Sequence, residues 1–198
     1  MMKIEDKVRE VVFENGRITN IPEGFRCVGQ GRSAAVFHVQ DSNTAVKVFY
    51  PEFAELAEVE AEVYESLNNS EMFPLFISQG KGYLVMEYLE GMTFYDCLVS
   101  GVPITAEMVK QVEEALLFAC SLGLNPSDIH LKNMLLTSSG KVKVIDVVRF
   151  KQEQDCPHWR DLKKAYETYY VKPYMPKKLP RFFIECIIRL YRRRLLPI

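Results

Sequence analysis

The chain has 198 residues, 48% of them hydrophobic and 26% charged, which suits one domain or two small lobes and excludes a disordered chain. No apolar run approaches the ~20 residues of a membrane span, and the mixed-charge start, Met1 to Glu10, lacks the basic-then-apolar pattern of a secretory signal. The net charge of −1 conceals a polarity: from residue 171 onward eight Lys and Arg stand against Glu185, giving +7, so the rest carries −8.

In chain order, Val11 to Ile21 is β-rich around Asn15-Gly16, a hairpin-type turn signal. Cys27 to Val39 places a Gly-rich bend between apolar residues, and Asn43 to Tyr50 reads as a further strand. Phe53 to Leu67 has helical spacing, and Phe76-Ile77 and Tyr83 to Glu87 read as short strands. The first half is therefore expected to be a small lobe of antiparallel strands with one helix, residues 1–88. After Glu87-Tyr88-Leu89-Glu90-Gly91 the pattern becomes helical, and 89–198 is expected to form a second lobe. Thr93-Phe94-Tyr95-Asp96 looks like a capping box. Ala106 to Leu122 repeats apolar residues at 108, 112, 115, 116 and 119, with Gly123 placed to terminate the helix. Asn133 to Leu136 and Lys141 to Ile145 read as strands around Ser138-Ser139-Gly140, and the chain is helical from about Trp159, with prolines 173, 176 and 180 interrupting. The five cysteines (27, 97, 120, 156 and 186) are scattered without a CxxC pair, which argues against a disulfide framework or a zinc module and fits a reducing, cytoplasmic setting. No segment signals nucleic-acid binding.

Three clusters carry chemistry. Gly29-Gln30-Gly31-Arg32-Ser33-Ala34-Ala35-Val36 lies between two strands, where glycines let backbone approach phosphates closely. A dinucleotide-binding fold would need a helix at once after the glycines, and Val36-Phe37-His38-Val39 continues as strand instead. Lys47 lies mid-strand, with Ala45 on its face and Val46 and Val48 on the other. In the following helix Phe53, Leu56, Ala57, Val63, Tyr64 and Leu67 form one stripe, with Glu60 in its middle and Glu55, Glu58, Glu62 and Glu65 opposite. An acid on a buried face needs a partner, and Lys47 is the natural one. Finally, Asp128-x4-Asn133 before a strand, with Asp146 ending the next, can place oxygen ligands around one cavity, as Mg²⁺ prefers.

In that order, from about Gly24 to Tyr170, these features resemble the protein-kinase-like superfamily. The resemblance implies an α+β, bilobal fold with a truncated helical second lobe. It implies that Lys47 holds the α- and β-phosphates of ATP, clamped by Glu60. Asp128 would orient or deprotonate the acceptor hydroxyl, and Asn133 and Asp146 would hold Mg²⁺, with Mn²⁺ as an alternative. The backbone of Glu87 and Leu89 would bind adenine between Val36 and Ala45 above and Leu135 below, with Met86 as gatekeeper, while residues 29–35 cover the phosphates.

The departures are as informative. Pro126-Ser127 replaces the His-Arg of typical kinases, and Asp146-Val147-Val148 replaces Asp-Phe-Gly. His130 stands where eukaryotic-type kinases have lysine, a feature of aminoglycoside and other small-molecule phosphotransferases; Lys132 is a candidate to supply the missing charge. Only 14 residues separate Asp146 from Asp161, too few for a long activation segment, and Asp161 is a candidate brace for the catalytic loop. The first reading is a minimal, atypical, Rio-like Ser/Thr protein kinase with a protein hydroxyl as acceptor. The alternatives are a small-molecule (aminoglycoside- or sugar-type) kinase and an ATP-binding pseudokinase acting as a partner switch. Leu179 to Leu196 is expected to form a basic amphipathic helix that packs on its lobe or docks to an acidic partner or membrane surface.

Overall fold

Alternating apolar residues draw the first half of the chain into a five-stranded antiparallel sheet: β3 (Phe25–Gln30), β4 (Ala34–Val39), β5 (Thr44–Phe49), β6 (Phe76–Gly80) and β7 (Tyr83–Glu87), ordered β3-β4-β5-β7-β6. The computed structural model describes residues 3–195, and the chain divides into two compact units, Met1–Leu89 and Glu90–Ile198. In the first unit Phe25, Ala35, Phe37, Val46 and Val48 form a core on one face of the sheet. Ile4 and Val8 of α1 (Ile4–Glu10) and Phe13 and Ile18 of a hairpin, β1 (Val12–Glu14) and β2 (Arg17–Asn20), cover it. The hairpin turns through Asn15 and Gly16, both with positive φ (51° and 71°), the geometry that makes Asn-Gly a favoured pair there. Helix α1 is an addition to the single helix expected in this unit. Two apolar residues one turn apart bury against the sheet, while the charges between them mask the pattern.

The opposite face of β5 carries Lys47 to α2 (Leu56–Ser66), which buries Ala57, Glu60, Ala61, Val63 and Tyr64. Phe53 does not join this stripe. It ends a short 3₁₀ turn, Pro51–Phe53, and is exposed, because Pro51 opens a separate turn before the α-helix begins.

The second unit begins with β8 (Gly91–Thr93), which the sequence pattern did not announce, being three residues with one apolar side chain. It pairs with β9 (Met134–Thr137), which pairs with β10 (Val142–Val144). The expected capping box opens α3 (Phe94–Ser100): Thr93 Oγ1 accepts from the Asp96 amide, and Asp96 accepts from the Thr93 amide. Helix α4 (Ala106–Ser121) buries Val109, Val112, Ala115, Leu116 and Ala119, so Val109 rather than Met108 takes the first inward position. Gly123 follows with φ 79°, a conformation glycine adopts without strain. Beyond β10 come α5 (His158–Ala165), a π-helical turn (Tyr166–Tyr170) and α6 (Arg181–Arg192). Helix α6 is shorter than the Leu179–Leu196 span expected, and Leu196 lies outside the described residues. Among the described residues no helix is long and apolar enough to cross a membrane.

Candidate active site

The first unit contributes a clamped lysine and an anchored Gly-rich turn. Lys47 Nζ donates to Glu60 Oε2 at 2.6 Å, with 7% of Lys47 and none of Glu60 exposed. The turn between β3 and β4 holds Gly31, Arg32 and Ser33 and is closed by the Gly31 amide donating to the Ala34 carbonyl at 2.8 Å. Gly29, Gln30, Gly31 and Arg32 are exposed, whereas Ala34 and Ala35 are buried. Tyr50, buried beneath the turn, pins it: its hydroxyl donates to the Gly31 carbonyl at 3.0 Å and accepts from Gln30 Nε2 at 3.0 Å, and its amide donates to the Ser33 carbonyl. Nothing in the motif signals Tyr50, which lies two strands later in the chain.

The sheet register sets Val36 opposite Lys47, and Ala45 opposite Met86. Ala45 and Met86 are buried, Val36 half-buried. The Glu87 amide donates to the Leu75 carbonyl and the Tyr88 amide to the Asn43 carbonyl, which fixes the chain leading to Leu89. Leu135, half-buried on β9, belongs to the second unit.

The second unit gathers the acidic residues. Asp128 and Asp146 both have positive φ (59° and 61°), a conformation that Asp tolerates better than most residues and that recurs at functional sites. The Asn133 side-chain amide donates to the Asp128 carbonyl at 3.1 Å, and the Ile145 amide donates to the Asn133 carbonyl at 2.9 Å, so Asp128, Asn133 and the residue before Asp146 are tied together. Ser127 is buried and donates to the Asn125 carbonyl. Asn125 in turn grips the segment after Asp146, its Nδ2 donating to the carbonyls of Gln152 and Gln154.

The same loop holds two basic residues, His130 and Lys132. Burial pushes the His130 imidazole below its ordinary value, outweighing the upward pull of Asp128 and Asp146. Lys132 is not left free: its ammonium lies 4.6 Å over the Tyr95 ring and 3.9 Å from Glu185 Oε1, which also accepts from the Tyr95 hydroxyl. Nor does Asp161 reach back to the catalytic loop as a brace; its carboxylate accepts from the Tyr191 hydroxyl of α6 at 2.6 Å. Cys156, before α5, and His158, its first residue, approach Asp128 instead. Cys156 Sγ accepts from the Asp128 amide at 3.4 Å, and His158 Nδ1 lies 3.6 Å from Asp128 Oδ1.

No family model matches the chain. Its similarity to individual proteins is strong. It is 44% identical over 199 residues to the Bacillus subtilis (strain 168) protein named "Putative serine/threonine-protein kinase YrzF", covering 98% of this chain and 93% of the relative. It is 27% identical over 168 residues to "Serine/threonine-protein kinases drp72" of Corynebacterium efficiens, covering 74% of this chain and 32% of the relative. Against "Mitogen-activated protein kinase kinase 10" of Arabidopsis thaliana the identity is 24% over 135 residues, 63% of this chain and 44% of the relative. With a Gly-rich turn, a lysine clamped by a helix glutamate and an Asp-x4-Asn loop in that order, the chain belongs to the protein-kinase-like superfamily and is a kinase-like phosphotransferase.

Proposed function

We propose that this phosphotransferase uses ATP and Mg²⁺ and is of the minimal, Rio-like kind, moving the γ-phosphate to a hydroxyl on a protein. The observation that carries the reading is the Lys47–Glu60 pair. A buried ion pair is at best weakly stabilising, so its place at the centre of the inner face of α2 speaks for a task beyond packing. Fixing one ammonium for phosphate oxygens is such a task. The pinned turn at residues 29–35 offers backbone amides over the phosphates. Val36, Ala45 and Met86 of the first unit are the apolar residues assigned to adenine, with the backbone of Glu87 and Leu89 at its edge.

The donor chemistry fits a hard cation. The Asn133 Nδ2 branch is engaged with the Asp128 carbonyl, which leaves the amide oxygen for a metal, and Asp146 follows the residue bonded to Asn133. One amide oxygen and one carboxylate, completed by phosphate oxygens and water, suit Mg²⁺, and Mn²⁺ accepts the same set. When bound, the metal neutralises charge on the phosphate oxygens. Asp128 orients the acceptor hydroxyl and accepts its proton.

A second reading, a nucleotide-binding pseudokinase, draws on Pro126-Ser127 before Asp128 and on Val147-Val148 after Asp146. Incubation with γ-labelled ATP and Mg²⁺, with casein and with a small hydroxyl acceptor, separates the readings. Label on protein is expected, label on the small acceptor would reassign the substrate class, and ATP binding without transfer would favour the pseudokinase. Asp128→Asn keeps the side-chain shape and removes the base. Turnover is expected to fall about 10²–10⁴-fold with ATP affinity nearly unchanged. A variant turning over like the wild type would overturn the role of Asp128.

A further inference from the structure

We propose that His158 is a positioning residue for Asp128, held in place by Tyr191 of the C-terminal helix. The inference rests on reading Asp128 as the acceptor-side base. Three contacts converge on Asp128. Asn133 binds its carbonyl, Cys156 its amide, and His158 Nδ1 approaches carboxylate oxygen Oδ1 to 3.6 Å. The first two fix backbone. His158 alone of the three addresses the carboxylate, and rotation of that carboxylate decides which oxygen meets the acceptor.

His158 Nδ1 is buried and has no hydrogen-bond partner among the described residues. A buried ring nitrogen without a partner is costly, and here it faces a carboxylate just beyond bonding distance. Contacts of this kind are commonly long in the unliganded enzyme and tighten with substrate in place. With its proton on Nδ1, His158 donates to Oδ1 and leaves Oδ2 to receive the acceptor's proton.

The ring itself is held from behind. Tyr191 packs edge-on against His158, centroids 5.9 Å apart at 62°, and its hydroxyl is fixed by Asp161, one turn along α5. Tyr191 stands in the last turn of α6, while Glu185, on the same helix, reaches Lys132 and Tyr95. The final helix thus touches the catalytic loop directly at Lys132 and indirectly at Asp128. A kinase with no long activation segment has in this helix another means of holding the loop.

The test uses the full chain, γ-labelled ATP, Mg²⁺ and casein. His158→Leu is expected to lower kcat about 10- to 100-fold, the scale of a misplaced reacting group, with KM for ATP unchanged. His158→Asn, which restores a donor near Nδ1, is expected to recover most of that loss, and a purely structural histidine would not be rescued in kcat alone. Tyr191→Leu should share the defect, whereas Tyr191→Phe, which keeps the ring, should lose less than threefold, about 0.6 kcal/mol. A readout without turnover accompanies these: the ring nitrogen resonances of His158 should move in Asp128→Asn and stay fixed in Glu58→Gln, an exposed position on α2 of the first unit. Wild-type kcat in His158→Leu, or a loss that Asn does not rescue, overturns the proposal. If the wild-type chain transfers no phosphate, the proposed function fails, and the resonances alone decide: no movement in Asp128→Asn overturns the contact.

Discussion

Glu60 has no surface in water and lies 2.6 Å from the Lys47 ammonium, so a change at either residue is felt by both. Lys47→Met removes the cation for phosphate and the ion pair together. It should abolish measurable transfer and destabilise the fold by about 1–3 kcal/mol, the usual cost of depriving a buried acceptor of its donor. Adding Glu60→Leu removes the other charge as well, and replacing both members of a buried pair by apolar groups is often neutral. The double variant should therefore regain most of the melting temperature lost in Lys47→Met while staying inactive. A double variant no more stable than Lys47→Met would mean that the pair does not carry the coupling. At this scale the sequence was legible where periodicity exposes an anomaly: an acid in the middle of an apolar stripe, and a lysine on the facing strand. It was silent on Cys156 and His158, because their approach to Asp128 depends on the path of a loop that has no period. The partners of Lys132 and Asp161 are not legible for a related reason, since Glu185 and Tyr191 come from a helix more than 20 residues further along.

Among the elements, those with a strong period or a named cap fall close to expectation: the β1–β2 hairpin, the box at Thr93, and α4 ending before Gly123. The short ones do not announce themselves. Helix α1 shows two inward residues in seven, and β8 exists because β9 offers it an edge. The Gly-rich turn lies between these cases. Its glycines are visible, but the buried tyrosine that holds it is not. Tyr50→Phe keeps the edge-on packing with Phe13 and removes the hydroxyl shared by Gly31 and Gln30. A hydrogen bond of this kind is worth about 0.5–1.5 kcal/mol, so KM for ATP should rise about 2- to 10-fold with kcat little changed. Steady-state kinetics over a range of ATP concentrations measures both. An unaltered KM would show that the turn keeps its shape without Tyr50.

At the scale of the whole molecule, the shortness of the segment between Asp146 and α5 has a regulatory consequence. Between Asp146 and α5, which begins at His158, the second unit spends its residues on a tight return: Asn125 binds the carbonyls of Phe150, Gln152 and Gln154, and Phe150 is fully buried. A segment pinned in this way is not free to swing between active and inactive arrangements, and phosphorylation acts by supplying a charge that orders a loose one. The chemistry for such a switch is missing too. Residues 147–165 contain no Ser, Thr or Tyr, and Ser127 occupies the position from which an arginine would read the phosphate. Activity is therefore expected without prior phosphorylation in this segment. Protein expressed in bacteria, treated with a broad phosphatase and freed of it, should transfer labelled phosphate from ATP at its original initial rate. Mass spectrometry should place any modified residue outside 147–165. A rate that collapses on phosphatase treatment and returns on preincubation with ATP would contradict this, and would move the search for a control site to hydroxyls elsewhere in the second unit, beginning with Tyr166 and Thr168.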